Sequence, residues 1–237
     1  MISSFFYHVF YQPLINGLAF LVGILPGNDL GLAVILMTIL VRAALIPFTH
    51  HALFTQQKVR ELEPHIAKIK ENFKDKKEEQ ARLIMELYRQ HGINPFSGFL
   101  LLLVQLPLLI ALYWVFSAGF NAETAKDLYT FVSFPEQVNT HFLNFFDLTV
   151  PSIFLALIAG ATQFVQGWLA IPPVQTEKSQ EPSMATMMQT QMLYFFPVLI
   201  IFIGLKFSAA LSLYWTTMNI FAIIHEWWVR RISNKTT

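Results

Sequence analysis

The chain has 237 residues, 54% of them hydrophobic and 13% charged, with a mean hydropathy of +0.48 and a net charge of +1. Soluble domains run near a quarter charged, so this composition excludes a water-soluble globular protein, and the near-neutral balance implies no partner by charge. The absence of cysteine excludes disulfides, thiolate metal sites and a lipidated cysteine.

Residues 1–26 are apolar but place Ser4, His8, Gln12 and Asn16 four apart. On a helix these form one polar stripe. The pattern predicts an amphipathic helix lying in the membrane interface, with Tyr7 and Tyr11 at headgroup level. A signal peptide or signal anchor fits less well, because no Lys or Arg precedes the apolar run. "PGND" (Pro26–Asp29) is a turn signal. Residues 30–48 then predict a first span, roughly 28 Å long at ~1.5 Å per residue.

Residues 50–92 are the strongly charged block, with nine of the sixteen Lys and Arg and seven of the fifteen Asp and Glu. Val59, Leu62, Ile66, Ile69 and Phe73 recur at spacings of three and four, and Ala81, Ile84 and Tyr88 repeat the pattern after "KDKK" (Lys74–Lys77). Two amphipathic helices folded back as a hairpin account for this better than a solvated linker. Pro64 is expected to kink the first arm. Adjacent His50 and His51 face different sides of a helix, so they predict no metal site.

Further spans are expected at 96–119, with Pro107 inside, and at 149–170, 188–204 and 208–229. Between them lie a mixed loop at 121–147, a polar linker at 171–187 and a short hinge at Lys206, and a basic tail follows at 230–237. Backbone pairing in lipid requires the spans to be helices. Five spans put the charged block, the linker and the tail on one side, with thirteen of the sixteen Lys and Arg. The positive-inside rule makes that side cytoplasmic, with the N-terminus external and the C-terminus cytoplasmic.

Arg42 is the cation inside the first span, six residues from its end at Phe48. Snorkelling to headgroups is one reading. Pairing with Glu226, the acid near the end of the last span, is another. Unpaired, an intramembrane arginine costs at least ~2.5 kcal/mol, which favours compensation by water or a functional anion. Gln105, Gln163, Gln166, Thr216 and Asn219 are polar positions of other spans, and Thr38 lies one turn before Arg42. Each alone fits an interhelical hydrogen bond; together with Arg42 they suggest a wet concavity.

"GLAVILMTILVRAALIPF" resembles the first core span of the YidC/Oxa/Alb membrane protein insertases. "ELYRQHGINPFSGFLLLLVQLPLLIALYWVF" resembles the end of their hairpin and second span, and "LSLYWTTMN" their last span. The resemblance implies an all-α polytopic fold in which five core transmembrane helices surround a hydrophilic groove. This groove opens to the cytoplasm and to lipid and is sealed from outside. It places Arg42 in the groove with Thr38 one turn earlier. Gln105, Leu106 and Leu109 match the face near a passing substrate helix, and Tyr214 and Trp215 match the segment lining its path. "FSAAL" lacks the Pro and Gly common before Leu-Tyr-Trp in the family, "GFLLLL" lacks the proline often preceding span two, and the expected form lacks the large external domain of Gram-negative members.

The implied function is insertion, not enzymatic catalysis: short polar segments cross through the groove and hydrophobic helices leave sideways into lipid. No nucleotide-binding motif occurs, and no cofactor or metal is expected. The implied partners are nascent membrane proteins and the lipid bilayer. The ribosome, the Sec translocon or the signal recognition particle receptor would meet the hairpin and tail. The implied location is the bacterial plasma (inner) membrane. Two rivals are a small-solute transporter or channel with Arg42 as an anion site, and an assembly chaperone without insertase activity. Transporters favour paired repeats, which the five unequal spans do not show.

Overall fold

A computed structural model describes residues 4–94, 97–121, 123–135, 137–170 and 184–233. The elements are helices α1 (Ser4–Ile24), α2 (Leu30–Ala44), α3 (Ile46–Glu61), α4 (Glu63–Asn72), α5 (Lys77–Gln90) and α6 (Ser97–Ala118). A two-stranded hairpin follows, β1 (His141–Phe142) and β2 (Phe146–Asp147), and then α7 (Ile153–Ala170), α8 (Met184–Gly204) and α9 (Ala209–Ser233). Most of the 171–187 linker and the last four residues of the tail lie outside the described residues.

The chain divides into two units. One comprises residues 1–44 and 106–227, the other residues 45–105 and 228–237. The first unit has one apolar core drawn from every long helix in it: Ile15 and Val22 on α1, Val34 on α2, Val115 on α6, Ala159 on α7, Ile200 on α8 and Leu213 on α9. Close approach of α7 and α8 depends on Gly160, where a Cβ would run into Ile201. Small residues permit such contact between helices that gain nothing from hydrophobic exclusion in lipid.

The outside of this unit is also apolar. Phe20 and Ile24 on α1, Ile39 and Leu40 on α2, Ile110 on α6, Val198 and Phe202 on α8, and Ile220 and Ile224 on α9 are all exposed. On α7 the exposed Ile153, Phe154, Leu157, Phe164, Val165 and Trp168 repeat at helical spacing and form a continuous stripe. Apolar surface of this extent is what lipid covers. Among the described residues, α1 meets both length and hydropathy for crossing a bilayer, and Leu30–Ala44, Gln105–Ala118, Ile153–Leu169 and Gln191–Gly204 are shorter apolar helical stretches.

Several boundaries differ from expectation. The helix predicted over 30–48 stops at Ala44, and α3 starts afresh at Ile46. Pro47 explains the break: it has no N–H to donate and is tolerated in a first turn, not in a helix interior. Pro64 likewise sits in the first turn of α4, so the expected kink is a break at Leu62. The last helix extends to Ser233, past the expected end at 229. The loop at 121–147 contains the β1–β2 hairpin, a small departure from an all-α fold, with His141 opposite Asp147 and Phe142 opposite Phe146.

In the second unit α4 and α5 fold back on one another through the turn at Phe73–Lys76. Leu62, Ile66 and Ile93 form its buried centre, with Val59, Ile84, Leu87 and Tyr88 packed against it. Gln80 Nε2 donates to the Lys70 carbonyl across the turn at 3.0 Å. Burial, and then the Glu63 carboxylate, raise the Tyr88 phenol above its usual pKa.

Candidate functional site

The site begins with helix rise. Arg42 lies twelve residues after Leu30 on α2, roughly 18 Å along the axis. Its side chain is half-buried, and among the described residues Tyr214 on α9 is an ionisable group within its electrostatic reach. Among the described residues no carboxylate pairs with it; Glu226, the partner considered from sequence, is buried elsewhere on α9.

Thr38, one turn earlier, does not present its hydroxyl to that space. It is 2% exposed, and Oγ1 donates to the Val34 carbonyl at 2.6 Å. With Val34, Leu112, Phe116 and Tyr214 it lines a void of about 10 Å³, room for a single water at most. Thr38 and Tyr214 therefore line one small, mostly apolar void.

The remaining expected groove residues separate into two kinds. Thr216 and Asn219 are buried and occupied: Thr216 Oγ1 donates to the Ser212 carbonyl at 2.9 Å. Asn219 Nδ2 reaches the Ala159 carbonyl at 3.4 Å and Thr162 Oγ1 at 3.3 Å. Gln163 and Gln166 are half-buried one turn apart on α7 and share a 3.3 Å hydrogen bond. Gln105 belongs to the second unit. Of the residues matched to a passing helix, Leu106 is exposed and Leu109 is packed against the core. Tyr214 and Trp215 are buried. The exposed face of α9 is instead Ile220, Ile224 and Trp227.

A second polar constellation joins the polar stripe of α1 to a partner the sequence does not reveal. Pro13 cannot donate an amide, and the turn before it widens into a π-helical stretch, Tyr7–Tyr11. That turn brings Tyr7 and Tyr11 onto one carboxylate. Tyr7 Oη donates to Asp127 Oδ1 at 2.6 Å and Tyr11 Oη to Oδ2 at 3.3 Å. Gln12 Nε2 and Asn16 Nδ2 both donate to the Asp127 carbonyl, and Asn16 Oδ1 accepts the Tyr129 amide at 2.6 Å. The polar stripe of α1 is thus bound to the loop after α6 at Gln12 and Asn16, not turned toward headgroups there. The stripe was legible in the sequence; its partner, 111 residues away, was not.

The chain matches the model of the family described as 60Kd inner membrane protein over residues 21–236. It is 30% identical over 205 residues to the membrane protein insertase YidC of Campylobacter jejuni, an alignment covering 86% of this chain and 35% of that protein. Against the YidC of Pelobacter propionicus the identity is 31% over 209 residues, covering 87% and 36%. Against that of Francisella philomiragia it is 29% over 201 residues, covering 85% and 32%. The chain spans about a third of the length of these curated relatives. A match over nearly the whole chain, on a helical fold with an apolar exterior, means that this protein belongs to the 60Kd inner membrane protein family, the family of the YidC insertases.

Proposed function

We propose that the chain is a membrane protein insertase. It would take short polar segments of nascent membrane proteins past the apolar layer and release their hydrophobic helices sideways into lipid. The observation that carries the reading is Arg42, a half-buried cation on an apolar helix with no carboxylate partner among the described residues. A structural arginine would be expected to carry an internal counter-ion. One without it is free to attract acidic groups of a passing segment and to hold water beside them. At 4 Å and an effective dielectric of about 20 such an attraction is worth roughly 4 kcal/mol. That offsets much of the several kcal/mol that unpaired polar groups cost in lipid.

In this reading five helices, α2 and α6 to α9, cross the membrane, and α1 lies along the interface. The groove around Arg42 opens toward the cytoplasm. Leu106 on α6, exposed and apolar, is where a departing client helix would slide into lipid. The α4–α5 hairpin and the basic end of α9 face the cytoplasm, by the positive-inside rule, and are the surfaces for ribosome, signal recognition particle receptor or Sec translocon. The names of the relatives support the activity; the lateral route rests on the exposed faces alone.

The test is insertion of paired clients that differ only in the charge of the translocated tail, at matched levels of folded protein. Arg42→Ala should lower insertion of acidic-tailed clients far more than of neutral ones. Equal losses for both would sink the electrostatic role. A photoreactive residue at Leu106 should crosslink to a ribosome-stalled client. Replacing residues 50–92 by a short linker should leave the spans inserted and abolish client insertion; normal insertion would remove the hairpin from the mechanism.

A further inference from the structure

The β1–β2 hairpin has a strained and apolar tip. Phe145 N–H donates to the Phe142 carbonyl at 3.2 Å, and the two residues between them, Leu143 (φ 54°) and Asn144 (φ 60°), both lie in the left-handed region. Positive φ at two successive turn positions favours Asn, Asp and Gly. Asn144 conforms. Leu143 does not: a bulky side chain there is an outlier that costs energy. It is also 59% exposed, and Phe145 beside it is 84% exposed. In water a leucine at this position gains nothing by burial and is strained by its backbone.

The rest of the hairpin is firmly seated. Phe142 packs on Gly31 of α2, where a Cβ would collide with its ring. Phe146 stacks on Phe154, with ring centroids 5.4 Å apart and planes 7° apart. Leu148 is fully buried, its amide donating to the Thr140 carbonyl and its carbonyl accepting from Ala210. Thr149 donates both amide and hydroxyl to Asp147 Oδ1, holding that carboxyl below its usual pKa and so charged. The hairpin is therefore polar at its base and apolar at its tip, and the tip is held in place.

What covers the tip follows from where Phe146 is anchored. Phe154 lies in the first turn of the exposed apolar stripe of α7, which continues through Leu157, Phe164 and Trp168. A tip fixed to the first turn of that stripe continues a surface that lipid covers. We propose that Leu143 and Phe145 form an interfacial membrane anchor, inserting among the headgroups and uppermost acyl methylenes of the leaflet at the N-terminal end of α7. Aromatic and aliphatic side chains beside charged groups suit that depth. The strain at Leu143 is then offset by apolar burial in lipid. The proposal rests on the membrane-spanning reading of α7 and goes beyond the insertion reaction.

The chain has no cysteine, so single-cysteine spin labelling reports each position cleanly. The full chain is reconstituted in phosphatidylethanolamine–phosphatidylglycerol vesicles, and labels at Phe145→Cys, Leu143→Cys, Leu157→Cys and Glu123→Cys are relaxed with oxygen and with a water-soluble nickel chelate. Leu157 should be oxygen-dominated and Glu123 nickel-dominated. The expected result is oxygen-dominated relaxation at Phe145 and Leu143 in the reconstituted full chain, at a depth shallower than Leu157. Nickel-dominated relaxation at Phe145 with Leu157 still oxygen-dominated overturns the anchor and leaves the span intact. Loss of oxygen dominance at Leu157 instead defeats the spanning reading. Protection of Phe145 only on addition of a second membrane protein, or spin–spin broadening between copies, assigns the tip to a protein contact and also overturns the proposal.

Discussion

The two polar regions of the first unit dispose of their charge in opposite ways. Around Asp127, two tyrosine hydroxyls and two side-chain amides find acceptors on one aspartate, and Asn16 returns an acceptor to the Tyr129 amide. Around Arg42 there is a permanent cation, half-buried, with Tyr214 as its neighbour and no carboxylate among the described residues. Both regions read as polar residues in apolar helices. What separates them is saturation: the first network is closed within the chain, whereas Arg42 has no carboxylate partner among the described residues, which is the ground of its proposed role. Polarity alone therefore does not separate a structural network from a candidate site; the difference lies in whether each polar group already has its partner.

The largest effect expected from this contrast is at Arg42. Arg42→Lys should keep most insertion activity, because the proposed role needs a charge and not a bidentate fork. Arg42→Ala should reduce insertion of acidic-tailed clients by at least about tenfold, the equivalent of losing ~1.4 kcal/mol of a larger attraction. Neutral-tailed clients should change much less. If Arg42→Lys is as damaging as Arg42→Ala, the residue is held by a specific geometry and belongs with the closed network.

Next is the closed network itself. Asn16 is 3% exposed and serves both as donor to Asp127 and as acceptor for Tyr129. Asn16→Ala leaves a backbone amide and a carbonyl short of partners, at about 1–3 kcal/mol. At roughly 2–4 °C per kcal/mol for a chain of this size, the thermal midpoint in detergent should fall by several degrees. Asp127→Asn keeps the backbone carbonyl that Gln12 and Asn16 use, and retains one side-chain acceptor for the two tyrosines. It should cost less than Asn16→Ala. Neither change should alter the preference between acidic and neutral tails at matched folded protein. A change in that preference would join the two regions into one site.

Much of this was legible beforehand and some was not, for identifiable reasons. The helical spacing of Leu62, Ile66, Ile84 and Tyr88 named residues that share one buried cluster, because periodicity is local and a hairpin brings local faces together. Arg42 stood out because a charge in an apolar run is rare. The assignments of Thr38, Thr216 and Asn219 to a wet surface could not be settled from sequence. A hydroxyl that bonds the carbonyl four residues back looks identical, in sequence, to one that faces water. The break at Leu45 is hidden in the sequence because the apolar run continues through it, although Pro47 is a signal for it. The docking of Asp127 on α1 depends on a contact across 120 residues, which no periodicity encodes.

The smallest predicted effect tests whether Asn219 lies on the closed or the open side of the comparison. Its amide reaches the Ala159 carbonyl and Thr162 Oγ1 at 3.4 and 3.3 Å, both long. Its removal would strand little. Ala159 is helical, and Thr162 Oγ1 already donates to the Ile158 and Ala159 carbonyls at 2.9 and 3.0 Å. Interhelical bonds of this kind average ~0.6 kcal/mol in membranes, so Asn219→Ala should lower the thermal midpoint by about 1–2 °C. Insertion of acidic and neutral clients should fall together, if at all, and only as far as the folded fraction falls. The alternative has a separate signature. If Asn219 helps to keep the space beside Arg42 wet, Asn219→Ala would leave the midpoint unchanged and slow acidic-tailed clients selectively, as Arg42→Ala does. A double substitution then decides between the two. Independent losses that multiply place Asn219 with the α7–α9 packing, whereas a double variant no worse than Arg42→Ala alone places it in the groove.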